Sequence, residues 1–321
     1  MGNGQIASNP ATEPDQNATA SALPTPLCQR PAPLKPGDLL RVVAPSGTLR
    51  ELDAFQRGVE VWRSRGYRVE CCSGYDDRWG YLAGRDASRR SQLATALNDP
   101  ECCGVLCARG GYGGARLLED WTWTLSEPKW LVGFSDITSL LWSLSTLGIS
   151  GVHAPLLTTL AAEPDWSIQR LFDWVEGRSL RPLQGMGWGG GSTSGILLPA
   201  NLTVATHLLN TSAQPSLQGV ILALEDVSEA PYRIDRMLTQ WRMSGAFQQV
   251  CGIALGRFSQ CQPPANLPSF TVEEVLRDRL ADLGIPVVSN LPFGHDGENA
   301  ALPVGVVAHL DGNNGVLRIG D

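Results

Sequence analysis

The chain contains no block of basic residues, and its formal net charge is −7. Nucleic-acid binding is thereby excluded as an expectation, because it needs a basic stripe to meet phosphates. No apolar run approaches the ~20 residues needed to cross a bilayer as a helix, so no membrane partner is expected. The first 34 residues are rich in Ala, Pro, Thr, Asn and Ser and lack the basic start and apolar core of a secretory signal. Met1-Gly2 opens like a myristoylation site, but Ile6 stands where that motif needs Ser or Thr. The expectation is a disordered tail over 1–34. Histidine is scarce, at four residues, with no H-E-x-x-H, no Cys/His cluster and no run of carboxylates at ligand spacing. Neither a metal nor another cofactor is expected. The eight cysteines, at 28, 71, 72, 102, 103, 107, 251 and 261, include no C-x-x-C. Most lie in apolar runs, where cysteine behaves as a small hydrophobe, so reduced thiols in a cytoplasmic protein are expected rather than a disulfide framework.

At 321 residues the chain is long enough for two domains. Residues 39–47 read as a buried strand ending in a turn, followed by a helix with Leu52, Phe55, Val59 and Trp62 at helical spacing, stopped near Gly66. A second strand begins at Tyr67, and a helix runs from Asp86 past Leu93 and Leu97 to Pro100. Residues 104–108 and 130–132 read as further buried strands. This alternation implies an α/β domain over 35–160, a parallel sheet with helices on both faces and with sites at the carboxyl ends of its strands. A linker is expected over 161–194, with a helix over 167–176 and a flexible glycine-rich crossing over 185–192. From 195 to 321 strand and turn signals dominate, which predicts a β-rich α+β domain. Its elements are strands over 220–224, 287–288, 304–310 and 316–319, a helix over 236–241, and a capping box at Thr271 and Glu274 opening a later helix.

The most informative stretch is Gly133-Phe134-Ser135-Asp136-Ile137-Thr138, set between the strand ending at Val132 and a helix with Ile137, Leu140, Leu141, Leu144 and Leu147 on one face. A serine between strand and helix sits on a sharp turn with its hydroxyl exposed, beside the free N–H groups of the helix start. That is the geometry of a nucleophile.

Serine needs a base, usually a histidine held by a carboxylate. His207 lies in an apparent helix and His309 in a terminal strand, both structural positions. His295 follows the loop 290–294 after an apolar strand and is favoured; His153, after 149–152, is its competitor. For the orienting acid, Glu225 ends the apolar strand 220–224, where a carboxylate is costly to bury without a partner. The bland alternative is an ion pair with Arg233 or Arg236, and Asp226 is the neighbouring candidate. The chain order Ser135, Glu225, His295 is one that serine hydrolases use. Residues 110–114 form a glycine-rich loop without the Lys-Ser/Thr ending of a P-loop or the spacing of a dinucleotide fingerprint. It reads either as a structural turn or as bare backbone offering N–H groups to an oxyanion, together with that of Asp136.

With these residues in view, the chain resembles the LD-carboxypeptidase family, serine peptidases that include the microcin C self-immunity peptidases. The resemblance spans roughly 35–320. It is carried by Lys35-Pro36-Gly37-Asp38, Val43-Ala44-Pro45-Ser46-Gly47, Tyr81-Leu82-Ala83-Gly84-Arg85-Asp86 and Ala108-Arg109-Gly110-Gly111-Tyr112-Gly113. It continues through the serine motif, Leu224-Glu225-Asp226-Val227, Pro231-Tyr232-Arg233-Ile234-Asp235-Arg236 and Leu291-Pro292-Phe293-Gly294-His295. The resemblance implies a triad of Ser135 as nucleophile, His295 as general base and acid, and Glu225 as its orienter. It also implies an oxyanion hole from the N–H groups of Asp136 and Gly111. The implied architecture is a flavodoxin-like N-terminal domain and a β-rich C-terminal domain with the site between them, in a homodimer. The implied activity is release of terminal D-alanine from murein tetrapeptides, across an L,D amide, in cytoplasmic cell-wall recycling. Two departures stand out: Pro199-Ala200-Asn201-Leu202 where the family commonly has Gly-Gly-Asn-Leu, and His153-Ala154-Pro155 for His-Gly-Pro. Both are expected to bear on the pocket rather than the triad.

A small peptide substrate with a free carboxylate needs a cationic or N–H anchor. Arg109, Arg116 and Arg233 are candidates, with Tyr112 a further substrate-binding residue. One rival reading is an immunity-type peptidase for an aminoacyl-nucleotide conjugate, with Trp188 as a stacking platform. Another is a non-catalytic peptide-binding protein.

Overall fold

The computed structural model describes residue 1 and residues 27–320, apart from 264, 266 and 267. The expected tail therefore lies largely outside the described residues. Its last part, 27–34, is not loose: Cys28 and Leu34 are buried, and Gln29 pairs with Ile149. The ordered body begins earlier than its polar composition implied, because two apolar side chains suffice to seat the segment.

The chain opens with β1 (Leu39–Val43), α1 (Leu52–Ser64), β2 (Arg68–Cys71), α2 (Asp86–Asn98) and β3 (Cys102–Cys107). There follow the short α3 (Gly114–Leu117), β4 (Trp130–Gly133), α4 (Thr138–Ser145), β5 (Val152–His153), α5 (Leu157–Leu160) and α6 (Asp165–Val175). Next come β6 (Leu183–Gln184), β7 (Met186–Gly187), β8 (Ser192–Asn201), α7 (Leu202–Leu208), β9 (Val220–Val227) and α8 (Pro231–Met243). The last elements are β10 (Val250–Ser259), α9 (Val272–Leu280), β11 (Val287–Ser289), β12 (Leu302–Pro303), β13 (Val306–Asp311) and β14 (Val316–Ile319).

Two sheets result. In the first, β2-β1-β3-β4-β5 run parallel in the flavodoxin-like order, and β12 joins β5 antiparallel. The chain leaves β1 and β3 toward opposite edges, so the loops after these two strands part and open a crevice. The second sheet has the order β6-β14-β13-β8-β9-β10-β11-β7. Its centre, β8 to β11, is parallel, and its flanks are antiparallel. The expected capping box opens α9: Thr271 Oγ1 accepts from the Glu274 N–H at 3.2 Å, and Glu274 accepts from the Thr271 N–H at 2.7 Å. Among the described residues no helix is long and apolar enough to cross a membrane.

Residues 161–194 are more built than a linker. Phe172 of α6 packs on Trp62 of α1, ring centroids 4.7 Å apart, and β6 and β7 form the two edges of the second sheet. Strands of two residues carry no periodicity, which is why the glycine-rich stretch reads as a flexible crossing.

Side chains alternate across the strands and feed two apolar clusters. One holds Val105 and Cys107 of β3 with α2 and α4, and also Val220, Leu222 and Leu224 of β9 with Ile234, Leu238 and Trp241 of α8. The other holds Leu106 with Phe55, Val59 and Trp62 of α1, and also Ile221, Ala223 and Ala308. Each cluster runs through both halves of the chain.

Helix α1 meets α5 so closely that a Cβ on Gly58 would lie 1.9 Å from the Leu157 carbonyl oxygen. Alanine is the better helix former by about 1 kcal/mol, but this overlap with backbone outweighs it. Gly58→Ala is expected to destabilise the fold by about 1–3 kcal/mol, seen as a lower urea midpoint at unchanged slope. A raised midpoint would contradict this packing.

Candidate active site

The site is built at the carboxyl ends of strands from both sheets. After β4, Phe134 is extended and Ser135 takes φ +63°, the left-handed region, before a 3₁₀ turn over Ser135–Ile137 leads into α4. Such a backbone costs on the order of 1–3 kcal/mol in a non-glycine residue and persists only where its surroundings hold it. They do so on two sides. Behind the turn, the Asp136 carboxylate accepts hydrogen bonds from the Gly114 N–H at 2.7 Å and from the Ser46 hydroxyl, which straps the glycine-rich loop and the β1 loop to the serine turn. Burial raises the pKa of Asp136, and these donors oppose the rise. In front, a Cβ on Gly110 would lie 3.2 Å from Ser135 Cβ and 3.3 Å from its Oγ, so bare backbone lies against the serine side chain. Gly111 follows, exposed, at φ +108°.

The fold brings Glu225 and His295 together. Glu225 is fully buried, and its Oε2 accepts from His295 Nδ1 at 2.6 Å, with no ion pair to Arg233 or Arg236. Asp226, one residue on, faces the other side of the strand and accepts from the Thr203 N–H at 2.9 Å and its hydroxyl at 2.8 Å, anchoring the start of α7. Burial, then the neighbouring Glu225 charge, push the Asp226 pKa up to about 6. Burial lowers the His295 pKa, but the Glu225 charge and hydrogen bond outweigh it, and the net shift is upward. With Nδ1 donating to Glu225, the neutral ring keeps a lone pair on Nε2. The His295 ring packs on Phe134, centroids 4.5 Å apart, which places it beside the residue next to Ser135.

The competitor His153 is fully buried on β5, edge-on to Phe134 and Phe293, and neither ring nitrogen has a hydrogen-bond partner among the described residues. Burial pushes its pKa down to about 4. It backs the site as a neutral ring with no carboxylate bonded to it.

Two polar residues escaped the sequence reading. Asn201 Nδ2 donates to Glu225 Oε1 at 3.2 Å and to Asp226 Oδ1 at 3.0 Å, its Oδ1 caps α7 at the Val204 N–H, and its own N–H donates to Thr138 Oγ1 at 3.0 Å. Its neighbours Pro199 and Ala200 carry the departure from the family's pattern, whereas Asn201 itself keeps to it. Pro199 and Ala200 lie in β8, paired with Ala223 and Leu224 but beyond the 192–197 stretch that pairs with β13, so the proline has a paired strand on one side only. Arg89 is the other: fully buried, it donates to the carbonyls of Pro45 and Gly113 and pairs with Asp86, locking the loops after β1 and β3.

The proposed anchors are less free than expected. Arg109 pairs with Glu51 at 3.1 Å and donates to the Gly110 carbonyl, bracing its own loop. Arg116 pairs with Asp86 at 2.6 Å. Arg233 pairs with Glu229 at 3.4 Å and lines a groove between α7 and α8, together with Thr203 and His207, that includes none of Ser135, Glu225 and His295. Tyr112 is exposed on the glycine-rich loop. Trp188 donates its indole N–H to Ser289 Oγ at 2.8 Å, and Arg277 covers its ring at 4.6 Å.

A strained serine between strand and helix, with a carboxylate-bound histidine packed on the residue before it at the carboxyl ends of strands from two sheets, is an arrangement found in serine hydrolases. The chain belongs to the LD-carboxypeptidase family: residues 40–154 match the model of its N-terminal domain and residues 194–310 that of its C-terminal domain. A Synechocystis sp. relative is 60% identical over 298 residues, covering 92% of this chain and 99% of its own. The murein tetrapeptide carboxypeptidase of Pseudomonas aeruginosa is 31% identical over 90% of this chain and 95% of its own. Among solved structures, the muramoyltetrapeptide carboxypeptidase of Oxalobacter formigenes aligns with a TM-score of 0.78 at 30% identity, over 88% of this chain and 99% of that one. The microcin C7 self-immunity protein MccF shares the fold, with a TM-score of 0.80 at 20% identity over 93% of this chain and 99% of that one.

Because Asn201 serves two buried carboxylates and a helix cap at once, Asn201→Ala is expected to lower stability at pH 7 by about 2–4 kcal/mol. Asn201→Asp, adding a third carboxylate, should lower it further. Chemical denaturation checks both, and a change within about 0.5 kcal/mol would contradict the network, being the ordinary range for surface substitutions.

Proposed function

We propose that this chain is a serine carboxypeptidase that hydrolyses the L,D-peptide bond before the terminal D-alanine of murein tetrapeptides, free or muramoyl-linked. The observation that carries the reading is the Glu225–His295 hydrogen bond of 2.6 Å with its imidazole seated on Phe134, next to Ser135. Family membership and the names of the Pseudomonas and Oxalobacter relatives support the substrate class.

In this mechanism Ser135 Oγ attacks the carbonyl carbon of the scissile amide while His295 Nε2 takes the hydroxyl proton. Glu225 stabilises the imidazolium so formed. The oxyanion lies against the N–H groups of Asp136 and Gly111. Collapse breaks the C–N bond, His295 returns the proton to the departing D-alanine amine, and an acyl-enzyme remains. Water, deprotonated by the same imidazole, then releases the shortened peptide. We place the reaction in cytoplasmic cell-wall recycling, carried out by a homodimer; the free state of all eight cysteines accords with a reducing compartment. The immunity-type reading draws no support from Trp188, whose indole N–H and one ring face are already engaged.

Ser135→Ala is expected to reduce D-alanine release about 10⁴-fold or more without loss of folded structure. Near-normal release would overturn the assignment. The general base must be neutral, and the Glu225 charge and hydrogen bond raise the His295 pKa above that of a free imidazole, so kcat/KM should rise with pH through a midpoint shifted upward to match. Glu225→Gln removes the charge that raises it, so the midpoint should move to lower pH while turnover falls about 10³–10⁴-fold. The pair's contribution to stability has the matching sign: complete below pH 6.5, and lost as pH rises through the folded-state value. An unmoved midpoint in Glu225→Gln would place the titration elsewhere.

A further inference from the structure

Three large aromatic side chains stand out of the surface around the glycine-rich loop: Trp79 is 42% exposed, Tyr81 60% and Tyr112 53%. Single exposed aromatics are ordinary, but a cluster on two adjoining loops is the mark of a recognition surface. The sequence puts them there deliberately. Trp79 and Leu82 exchange both backbone hydrogen bonds, at 2.9 and 3.0 Å, closing a two-residue hairpin that carries Tyr81 at its tip. Tyr112 rides on the glycine-rich loop, and the Tyr81 and Tyr112 rings meet at 5.8 Å and 58°. Arg85 lies over Trp79 at 4.9 Å and makes no ion pair with another described residue.

This rim is continuous with the site. The Tyr81 carbonyl accepts from the Thr48 N–H at 3.0 Å, the Gly47 N–H donates to the Gly110 carbonyl at 3.0 Å, and Gly110 lies against Ser135. Tyr112 is two residues from Gly110, at most about 7 Å along the chain. In a muramoyl-tetrapeptide the sugar precedes the scissile bond by three residues, roughly 10 Å of extended peptide. A substrate whose scissile carbonyl reaches Ser135 can therefore set its far end on these rings. Tyrosine and tryptophan present an apolar ring with a polar edge, which suits the C–H faces and flanking hydroxyls of a pyranose.

We propose that Trp79, Tyr81 and Tyr112 form a subsite for the muramoyl sugar of the substrate, with Arg85 at its margin. The proposal rests on the carboxypeptidase reading above and adds that the enzyme recognises the glycan end as well as the bond it cuts.

The test measures D-alanine release by the full-length protein from two substrates, the free tetrapeptide and the same peptide bearing N-acetylmuramic acid at its N-terminus. The wild type is expected to favour the sugar-linked form about tenfold or more in kcat/KM. The double variant Trp79→Ala/Tyr81→Ala should raise KM for that form about tenfold, leave its kcat unchanged and leave the free tetrapeptide unaffected. Trp79→Phe/Tyr81→Phe, which keeps the rings, should retain most of the preference. Equal use of both substrates by the wild type, or equal losses on both in the alanine variant, would overturn the subsite. So would a change from dimer to monomer in sedimentation, since the rings would then belong to an interface between copies. A wild type inactive on both peptides would sink the carboxypeptidase reading itself, and the subsite with it.

Discussion

Glu225 has no contact with solvent, and a charge so placed is tolerable only if its surroundings answer it. Two residues do: His295 on one oxygen and Asn201 on the other. Asn201 is in turn committed elsewhere, capping α7, holding Asp226 and donating to the first residue of α4. The acid of the second sheet is thus connected through one asparagine, by its side-chain amide on one side and its backbone N–H on the other, to the helix that begins just after Ser135 in the first. Moving any one of these groups leaves a buried carboxylate short of a donor, which costs more than a surface contact ever returns.

The loops that frame the serine are held by the same economy of buried charge. Asp136 ties Ser46 and Gly114 to the serine turn from below, and Arg89 ties the Pro45 and Gly113 carbonyls from the side. Loops rich in glycine lose much entropy on ordering. Here two buried ionisable side chains hold them by their backbone groups.

Much of this was legible in the residues. The strand–helix alternation, the serine turn after Val132, the capping box at Thr271 and the acid that follows the apolar run 220–224 each follow from local pattern, and each is present in the structure. What was hidden depends on partners distant in sequence. Asn201 is an ordinary strand-end residue until Glu225 and Asp226 are seen beside it. Arg109 and Arg233 look like free cations until Glu51 and Glu229 close on them. Loop position favours His295 over His153 only narrowly in the sequence, and it is burial between two phenylalanines that sets the unpartnered ring apart from the one that meets a carboxylate. The strands β6, β7 and β12 are two residues long, too short for any periodicity to announce them.

β12 has a consequence of its own. Leu302 and Pro303 leave the C-terminal half to complete the far edge of the first sheet beside His153. During synthesis, then, the sheet that carries Ser135 has an unfinished border until residues 302–303 have been made. A chain interrupted before residue 302 would present β5 as an open edge to its neighbours; one interrupted before 295 would also lack His295, and one interrupted before 225 would lack Glu225 as well.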